Sequence, residues 1–309
     1  MPDEELEQFK KQINLSEFAA SRGYGLDRRE SSRNSAVMRH PNGDKIVIAK
    51  NEASGDWIYF SVRDDRANGT IIDFVQHLDG ASLGRVRQTL RAWLGSPRPF
   101  GIQLSMFVKD LEPVSRDRAA VVAVWERAKN CFALPYLTGR GLGPDVLLLP
   151  RFAGRVRVES HYSNVLFAHY DKGGLCGYEI KNKGFTGFAP GGVKGLWYSQ
   201  ALPTDLQLVL TESGIDALSY HALHPDELWT RYMSTGGELN PQQPALLRGA
   251  MEKLPPEAVV LLAFDNDEGG EKLAAEVKAI APAGRELRRV VPDVGKDWNE
   301  LLKNRLGLT

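Results

Sequence analysis

The sequence predicts an α/β protein whose C-terminal part contains a mostly parallel sheet. Two apolar segments of strand type, Leu206–Leu210 and Val259–Phe264, are each followed by small residues and a helical pattern. Strands that alternate with helices are typical of parallel sheets buried on both faces. The first strand is followed by the carboxylate of Glu212, and the second by those of Asp265 and Asp267. Open α/β sheets place ligand sites at these strand ends, so a functional site is expected there.

The composition indicates an ordinary globular chain of 309 residues, a length that allows two domains. Apolar residues make up 42% of the chain and charged residues 25%, and no apolar run approaches the length of a membrane span. The acidic N-terminus lacks the features of a signal peptide. Cys131 and Cys176 are typical of a reducing cytosol and form no disulfide framework. We therefore expect a cytoplasmic protein with no membrane partner.

The formal net charge is zero, which taken alone argues against a nucleic-acid binder. The charges are unevenly distributed, however. Residues 118–205 contain 11 Lys and Arg against 6 Asp and Glu, whereas residues 206–309 contain 11 against 16. A basic segment beside an acidic one fits a phosphate-guiding surface next to metal-binding carboxylates. It equally fits chance asymmetry between two solvated surfaces, and composition does not separate these interpretations.

Residues 1–95 predict a small α+β unit. Helical spacing covers residues 1–22, three strands follow, with an Asn-Gly hairpin turn between the first two, and two helices complete the unit. The basic residues between 22 and 50 fit either a contact with a template backbone or a solvated strand face. Residues 96–117 begin with Pro and Gly, lack clear periodicity and predict a linker.

The order of these N-terminal elements resembles the zinc-ribbon domain of DnaG-type bacterial primases. Residues 38–41 (Met-Arg-His-Pro) stand where that family has a Cys-Pro-x-His element, and residues 64–74 stand at its Cys-x-x-Cys turn and glycine-led helix. Structural zinc needs about four Cys or His ligands. Residues 1–95 contain no Cys and only His40 and His77. We therefore predict a degenerate zinc-ribbon-like domain without zinc, in which His40 is a surface histidine.

Residues 118–205 predict a basic α+β subdomain of the primase type, with strands at residues 151–157 and 166–170. The segment from Tyr136 to Leu142 resembles the Tyr-Leu-x-x-Arg-Gly-Leu segment of DnaG-type primases. In that family a basic ridge binds single-stranded template and incoming nucleotide. The resemblance implies four residues that bind nucleic acid or nucleotide: Arg140, Lys181, Lys183 and Lys194. For any one lysine, a solubilising role on a loop explains the sequence equally well.

Residues 206–309 resemble a Toprim domain, the Rossmann-like fold shared by DnaG-type primases, type IA and II topoisomerases and several nucleases. The family's marks are a strand-terminal Glu and a later Asp-x-Asp, which correspond here to Glu212 and to Asp265 and Asp267. Asp216 matches a further acid of primases, whereas Ser213 replaces the family's usual glycine. The resemblance implies that Glu212, Asp265 and Asp267 are catalytic. The same three carboxylates and Asp216 are the expected ligands of Mg²⁺ or Mn²⁺.

The chemistry of phosphoryl transfer explains these residue types. Transfer depends on positioning and charge neutralisation, and Mg²⁺ neutralises charge near the phosphorus. Crowded acids are unfavourable without a cation, which itself favours a metal site over a surface acid cluster. The small-residue loop at 234–237 and the segment at 295–302 resemble further parts of the Toprim pattern.

We therefore expect a DNA primase, a nucleotidyltransferase that makes short RNA primers on single-stranded DNA from nucleoside triphosphates. No segment before Thr309 resembles the helicase-binding domain of replicative primases, which favours an accessory replication enzyme of a plasmid, phage or integrated mobile element. A replicative helicase or relaxase of that element is a further expected partner. Two alternatives remain: a Toprim nuclease or nicking enzyme, and a non-catalytic single-stranded DNA-binding protein derived from a primase.

Overall fold

The computed structural model divides into two units, Met1–Ser115 and Arg116–Thr309. The structure describes residues 3–51, 54–62, 68–95, 111, 115–227 and 229–308. The linker predicted over residues 96–117 lies mainly outside these ranges and stays a prediction. The boundary predicted near residue 205, between a basic subdomain and a Toprim domain, also stays a prediction.

The first unit is a five-stranded antiparallel sheet preceded by two helices and followed by two more. Its strands are ordered along the sheet as they are in the sequence. Met38 lies opposite Ile46 and Ala36 opposite Ile48, and all four are buried, as the two-residue period of a half-buried strand requires. The elements are α1 (Glu4–Gln12), α2 (Leu15–Ser21), β1 (Gly25–Leu26), β2 (Ser35–Arg39), β3 (Lys45–Lys50), β4 (Trp57–Ser61), β5 (Asn68–Thr70), α3 (Ile71–Asp79) and α4 (Leu83–Gly95).

Helix α3 begins at a local capping box. The Thr70 hydroxyl accepts a hydrogen bond from the Ile72 N–H at 3.3 Å, and Asp73 accepts one from the Thr70 N–H at 2.7 Å. This cap explains the helix start without any metal. The turn compared with a Cys-x-x-Cys element lies at residues 64–67, outside the described part of the chain. The likeness of this unit to a zinc ribbon therefore stays a prediction.

Three of the basic side chains between residues 22 and 50 are bound by acids of the same unit: Arg22, Arg39 and Lys45. Arg39 pairs with Asp27 at 2.8 Å, and Arg22 pairs with Asp79 at 3.1 Å. These pairs reduce the positive charge that the sheet can offer to a template, and they favour the interpretation as a solvated face. His40 is half-buried, and its ring packs 5.0 Å from that of Tyr24.

The second unit contains two five-stranded sheets. Its elements are α5 (Arg118–Arg127), β6 (Lys129–Asn130), α6 (Pro135–Thr138), α7 (Pro144–Leu147), β7 (Val156–Val158), β8 (Val165–Asp171), β9 (Gly174–Asn182), β10 (Phe185–Phe188), β11 (Trp197–Tyr198), β12 (Gln207–Thr211), α8 (Gly214–Leu223), β13 (Thr230–Ser234), α9 (Gln243–Glu252), β14 (Val259–Leu262), α10 (Glu268–Ile280), β15 (Glu286–Arg289) and α11 (Trp298–Leu306). One sheet is antiparallel, in the order β10-β9-β8-β7-β6, and the other has the order β11-β13-β12-β14-β15. In the latter, β13, β12, β14 and β15 are parallel and the edge strand β11 is antiparallel, which confirms the predicted α/β class.

The strand predicted at residues 151–157 was wrong over its first half. Pro150–Phe152 forms a 3₁₀ turn, and the strand begins only at Val156. The buried guanidinium of Arg151 binds Asp205 at 2.9 Å. Because a buried cation needs an acid partner, this contact holds the segment in a turn.

The parallel sheet is covered on both faces, which explains its continuous apolar runs. Val209 and Leu261 are neighbours in register and face one core, whereas Leu210 and Leu262 are neighbours that face the opposite core. Helices α8 and α11 contribute to the first core, and α9 and α10 to the second. Because β12 and β14 run in the same direction, the residues that follow them lie at one edge of the sheet.

Within the part of the chain that the structure describes, no helix has the length and apolar character needed to cross a membrane.

Candidate active site

Glu212 lies directly between β12 and α8, in a turn that two small residues shape. Ser213 caps α8: its hydroxyl accepts the Asp216 N–H at 3.2 Å and donates to Asp216 Oδ2 at 2.5 Å. A Cβ on residue 214 would lie only 2.4 Å from Cδ1 of Phe167. The close contact therefore requires glycine at Gly214, while position 213 needs a capping residue. Position 213 therefore holds the helix cap, and the glycine stands one residue later than in the Toprim pattern.

The backbone of Glu212 is held by the small-residue loop that follows β13. The Glu212 carbonyl accepts hydrogen bonds from Gly236 N–H at 2.8 Å and from Gly237 N–H at 3.1 Å. Both glycines have positive φ, 69° and 87°, a conformation that side chains disfavour. The loop noted in the sequence at 234–237 therefore positions the strand end that carries Glu212.

Asp265 and Asp267 lie on a bend between β14 and α10. Asp267 is the N-cap of α10, and its Oδ1 accepts the Gly270 N–H at 2.9 Å. A Cβ on Gly270 would approach the Asp265 carbonyl oxygen to 2.0 Å, so only glycine fits there. The helix cap at Asp267 and the close contact at Gly270 therefore shape this bend. The bend allows Asp265 and Asp267 to serve one site.

Arg289, on the neighbouring strand β15, stabilises the same bend through hydrogen bonds. Its guanidinium donates to the carbonyls of Leu262 at 3.0 Å, Phe264 at 2.8 Å and Asp265 at 2.7 Å. Its side chain is 15% exposed. Sequence reasoning missed this residue, because a basic residue in a short strand carries no signal that distinguishes it from a surface cation.

The loop before α11 brings a lysine and another acid to the site. The Asn266 N–H donates to the Lys296 carbonyl at 2.7 Å. The Lys296 ammonium lies 2.8 Å from Asp267 Oδ2 and 3.9 Å from Asp265 Oδ2. The next residue, Asp297, caps α11. The segment at 295–302, noted for its resemblance, thus packs against the Asp-x-Asp bend.

Several carboxylates of this site are unfavourably charged. Burial, followed by repulsion from Glu212 and Asp297, raises the pKa of Asp265 to about 7. Burial, followed by repulsion from Asp297 and Asp265, also raises the pKa of Asp216 to about 7. Burial is likewise the main reason that the pKa of Glu212 is raised. The site therefore holds more negative charge than its surroundings stabilise.

Lys296 offsets this charge only in part. Its hydrogen bond lowers the pKa of Asp267, and the same contact raises the pKa of Lys296. The Lys296 side chain is 58% exposed and so is weakly held. Among the described residues, no group donates a hydrogen bond to the buried Oδ1 of Asp265. Buried acceptors are rarely left without a partner, so this atom is suited to a donor or cation that comes from outside the chain.

In the described ranges, no group of three or more His, Cys, Asp or Glu side chains is already arranged as a metal site. The donor chemistry nevertheless fits a hard divalent cation. Glu212, Asp265 and Asp267 offer carboxylate oxygens, which Mg²⁺ prefers while it keeps several waters. The unpartnered Oδ1 of Asp265 is an acceptor that such a cation would satisfy.

Asp216, the fourth predicted ligand, has a different environment. It is buried, and its Oδ2 accepts the Ser213 hydroxyl while its Oδ1 accepts the Asn299 N–H at 3.3 Å. Both oxygens therefore have protein partners, and its role as a ligand stays a prediction. Asp297 acts electrostatically on Asp216 and Asp265 and was not among the predicted site residues. Its position beside Lys296 in the noted segment was the signal that could have found it.

Two of the four predicted nucleic-acid-binding residues, Lys181 and Lys194, bind carboxylate or carbonyl oxygens of the protein. The Lys181 ammonium lies 2.9 Å from the buried carboxylate of Glu179. The Lys194 ammonium donates to the Gly236 carbonyl at 3.3 Å, and burial lowers the pKa of Lys194. Lys194 therefore supports the loop that holds the Glu212 turn, and Lys181 pairs with the buried Glu179. Their binding roles stay predictions.

The other two, Arg140 and Lys183, line a pocket of about 770 Å³. The Arg140 guanidinium lies 4.9 Å from the centre of the Tyr136 ring, and it donates to the Asn299 side chain at 2.8 Å. Lys303, from α11, adds a third cation to the lining. The described residues that line this pocket include no acid, so it has the charge and the aromatic surface of a nucleic-acid site.

This arrangement defines a class of α/β domain, in which a parallel sheet presents a carboxylate site at its C-terminal edge. Residues 209–302 match the model of the Toprim-like family Toprim_2. This part of the chain is therefore a Toprim-like domain, and the prediction made from its sequence is confirmed. Residues 135–205 match a second family, described as a protein of unknown function (DUF3991).

Two solved structures from bacteriophage T7 are similar to the chain. One is the primase fragment of the primase-helicase protein, with 17% identity, coverage of 66% of this chain and 81% of that chain, and a TM-score of 0.42. The other shows the lagging-strand DNA polymerase interacting with primase domains of two gp4 subunits bound to an RNA/DNA hybrid and dTTP. It has 21% identity, coverage of 59% of this chain and 86% of that chain, and a TM-score of 0.41. No curated protein matches the sequence.

Proposed function

We propose that this protein is a metal-dependent DNA primase that synthesises short RNA primers on single-stranded DNA. The observation that carries the proposal is the buried, unpartnered Oδ1 of Asp265 within a group of mutually repelling carboxylates. A cluster that disfavours its own charge is one that a divalent cation stabilises. The Toprim-like match supports metal-dependent nucleic-acid chemistry. Proteins with a Toprim domain include primases, topoisomerases and nucleases. The segment from Tyr136 to Leu142 resembles a segment of DnaG-type primases, and so favours primer synthesis over the other activities.

In this proposal Asp265, Asp267 and Glu212 hold Mg²⁺ or Mn²⁺, which neutralises charge on the phosphates during transfer. Glu212 serves either as a ligand or as the acceptor of the proton of the attacking hydroxyl, and burial, which raises its pKa, makes it a better proton acceptor. Asp216 fixes the start of α8 beside Glu212 through its bonds with Ser213. In the presence of substrate, the exposed Lys296 ammonium would exchange its contact with Asp267 for one with a phosphate group.

The pocket lined by Arg140, Lys183 and Lys303 is the proposed path for the template. The three cations would contact backbone phosphates, and the ring of Tyr136 would stack with a base. Nucleoside triphosphates are the proposed second substrate. A replicative helicase or relaxase of the same mobile element stays a predicted partner.

Lys303→Gln is expected to weaken the binding of a single-stranded oligonucleotide about fivefold at low salt, because one phosphate contact is lost. The slope of log Kd against log salt concentration should fall by about one counterion. Fluorescence anisotropy at several salt concentrations measures both quantities. Lys278→Gln, an exposed lysine on α10, is the matched control and should bind like the unaltered protein. Equal effects of the two substitutions would remove this pocket from the template path.

Primer synthesis is tested by incorporation of labelled ribonucleotides on a single-stranded circular template with Mg²⁺ or Mn²⁺. We expect short RNA products that require both template and metal. Metal-dependent cleavage of the template without incorporation would instead identify a Toprim nuclease. Neither activity, in a protein that still binds the template, would contradict an enzymatic role.

One observation favours the non-catalytic alternative: the Lys296 ammonium already neutralises Asp267 in the absence of metal. Titration calorimetry with Mg²⁺ separates the two interpretations. The primase proposal requires Mg²⁺ binding that Asp265→Asn abolishes. A single-stranded DNA binder derived from a primase would show no carboxylate-dependent uptake of Mg²⁺.

A further inference from the structure

A second pocket, of about 420 Å³, opens between β8, β11, β13 and α9. The described residues of its lining include none of the carboxylates of the candidate active site and none of the residues that line the pocket around Arg140. Tyr170 and Tyr198 supply aromatic surface, with ring centres 4.9 Å apart, and Leu246 and Ala250 supply an apolar wall. A volume of this size holds a small organic ligand.

Arg231 lines this pocket, and none of the described acids forms an ion pair with it. Its guanidinium lies 5.5 Å from the centre of the Tyr198 ring, and its buried Nε has no hydrogen-bond partner in the described part of the chain. Burial is the main reason that the pKa of Arg231 is lowered. The carboxylate that acts on it most strongly, Asp205, is already bound by Arg151 at 2.9 Å.

The surroundings add further positive charge. The Arg155 guanidinium stacks on both tyrosines of the pocket, 4.9 Å from the centre of the Tyr170 ring and 4.7 Å from that of Tyr198. Its side-chain hydrogen bond goes to the neutral amide oxygen of Gln200, at 2.9 Å. A desolvated cation without a counter-charge is costly, so this arrangement calls for an anion from outside the chain.

The two acids that line the pocket do not supply that anion. Asp171 is paired with Arg118 at 2.9 Å, and Glu252 is paired with Arg248 at 2.9 Å. The two lysines of the lining, Lys172 and Lys253, form no ion pair within the described ranges. The pocket therefore presents a net positive charge over an aromatic and apolar floor.

We propose that this pocket binds a small organic phosphate of the size of a nucleoside monophosphate. The phosphate accepts hydrogen bonds from the guanidinium of Arg231, which suits bidentate recognition of a phosphate group. The planar part of the ligand packs against Tyr170, Leu246 and Ala250. The pocket is independent of the carboxylate site, so the inference does not require primer synthesis.

The test is titration calorimetry of the full chain in EDTA with adenosine 5′-monophosphate, inorganic phosphate and adenosine as separate probes. We expect one binding site for the monophosphate and at least about tenfold weaker binding of the two fragments. Arg231→Gln should weaken binding of the monophosphate about tenfold or more, and Arg231→Lys should restore part of it. Arg288→Gln, an exposed arginine on β15, is the matched control and should bind like the unaltered protein.

Thermal unfolding checks that Arg231→Gln still folds. Because an unpartnered buried charge is removed, its midpoint should equal or exceed that of the unaltered protein, and adenosine monophosphate should no longer raise it. Any of three binding results would overturn the proposal: no binding of the monophosphate, binding that survives Arg231→Gln, or binding lost instead in Arg140→Gln. A clear fall in the unfolding midpoint of Arg231→Gln would also overturn it, by showing that Arg231 is needed for the fold.

Discussion

Metal-dependent ribonucleotide incorporation is expected to fall about a hundredfold or more when Asp265 is replaced by Asn. The substitution keeps the shape of the side chain and removes the charge that would bind the cation beside Glu212 and Asp267. Initial rates over a range of Mg²⁺ concentrations measure the effect. Asp293→Asn, at an acid that is 68% exposed, is the matched control and should retain full activity. Full activity of Asp265→Asn would exclude the proposed site.

The same substitution is expected to stabilise the fold when no divalent cation is present. The pKa of Asp265 is raised to about 7 in the folded protein, so its contribution to stability is complete below the ordinary range of Asp and is lost as the pH rises through about 7. At pH 8 the folded protein therefore carries an unfavourable charge that Asn removes. The free energy of unfolding should rise by roughly 1–3 kcal/mol in EDTA.

Urea unfolding at pH 8 measures this difference, with Asp293→Asn unchanged as the control. Saturating Mg²⁺ should stabilise the unaltered protein and have little effect on Asp265→Asn. Lower stability of Asp265→Asn in EDTA would mean that its carboxylate serves the fold, and would remove the main support for the metal site.

Arg289→Met is expected to lower the free energy of unfolding by about 3 kcal/mol. Arg289 donates hydrogen bonds to the carbonyls of Leu262, Phe264 and Asp265, at and just after the end of β14. The substitution removes these donors. Methionine keeps most of the apolar stem, so the lost hydrogen bonds dominate the change. Because the bend carrying Asp265 would loosen, activity should fall as well.

Arg288→Met is the matched control for this experiment. Arg288 is the preceding residue of β15, its side chain is 61% exposed, and its ion-pair partner Glu286 is also exposed. Its removal should change the free energy of unfolding by about 0.5 kcal/mol or less. Similar losses in Arg288→Met and Arg289→Met would show that the carbonyl contacts of Arg289 contribute little.

The strands and helix starts of the Toprim-like domain could be predicted because each depends on adjacent residues. The run Val259–Phe264 is apolar without interruption, and Leu206–Leu210 is apolar except at Gln207, which approaches the pattern of a strand buried on both faces. The turn after Glu212 contains a capping serine and a glycine, and the bend after Asp265 contains a capping aspartate. The strand at residues 151–157 was mispredicted because its start depends on the distant Asp205.

The sequence by itself determined the α/β class, the Toprim-like domain and the acids at its strand ends, because local hydrophobic period and caps carry that information. Only the tertiary structure decided that Lys296 and Asp297 join those acids, and that Lys181 and Lys194 point their charges inward. The pocket of Arg231 likewise depends on tertiary contacts. The physical reason is the strand order β11-β13-β12-β14-β15, which brings together residues far apart in the chain. A local sequence pattern does not show which distant side chain will neutralise a buried charge, or which buried charge will have no partner.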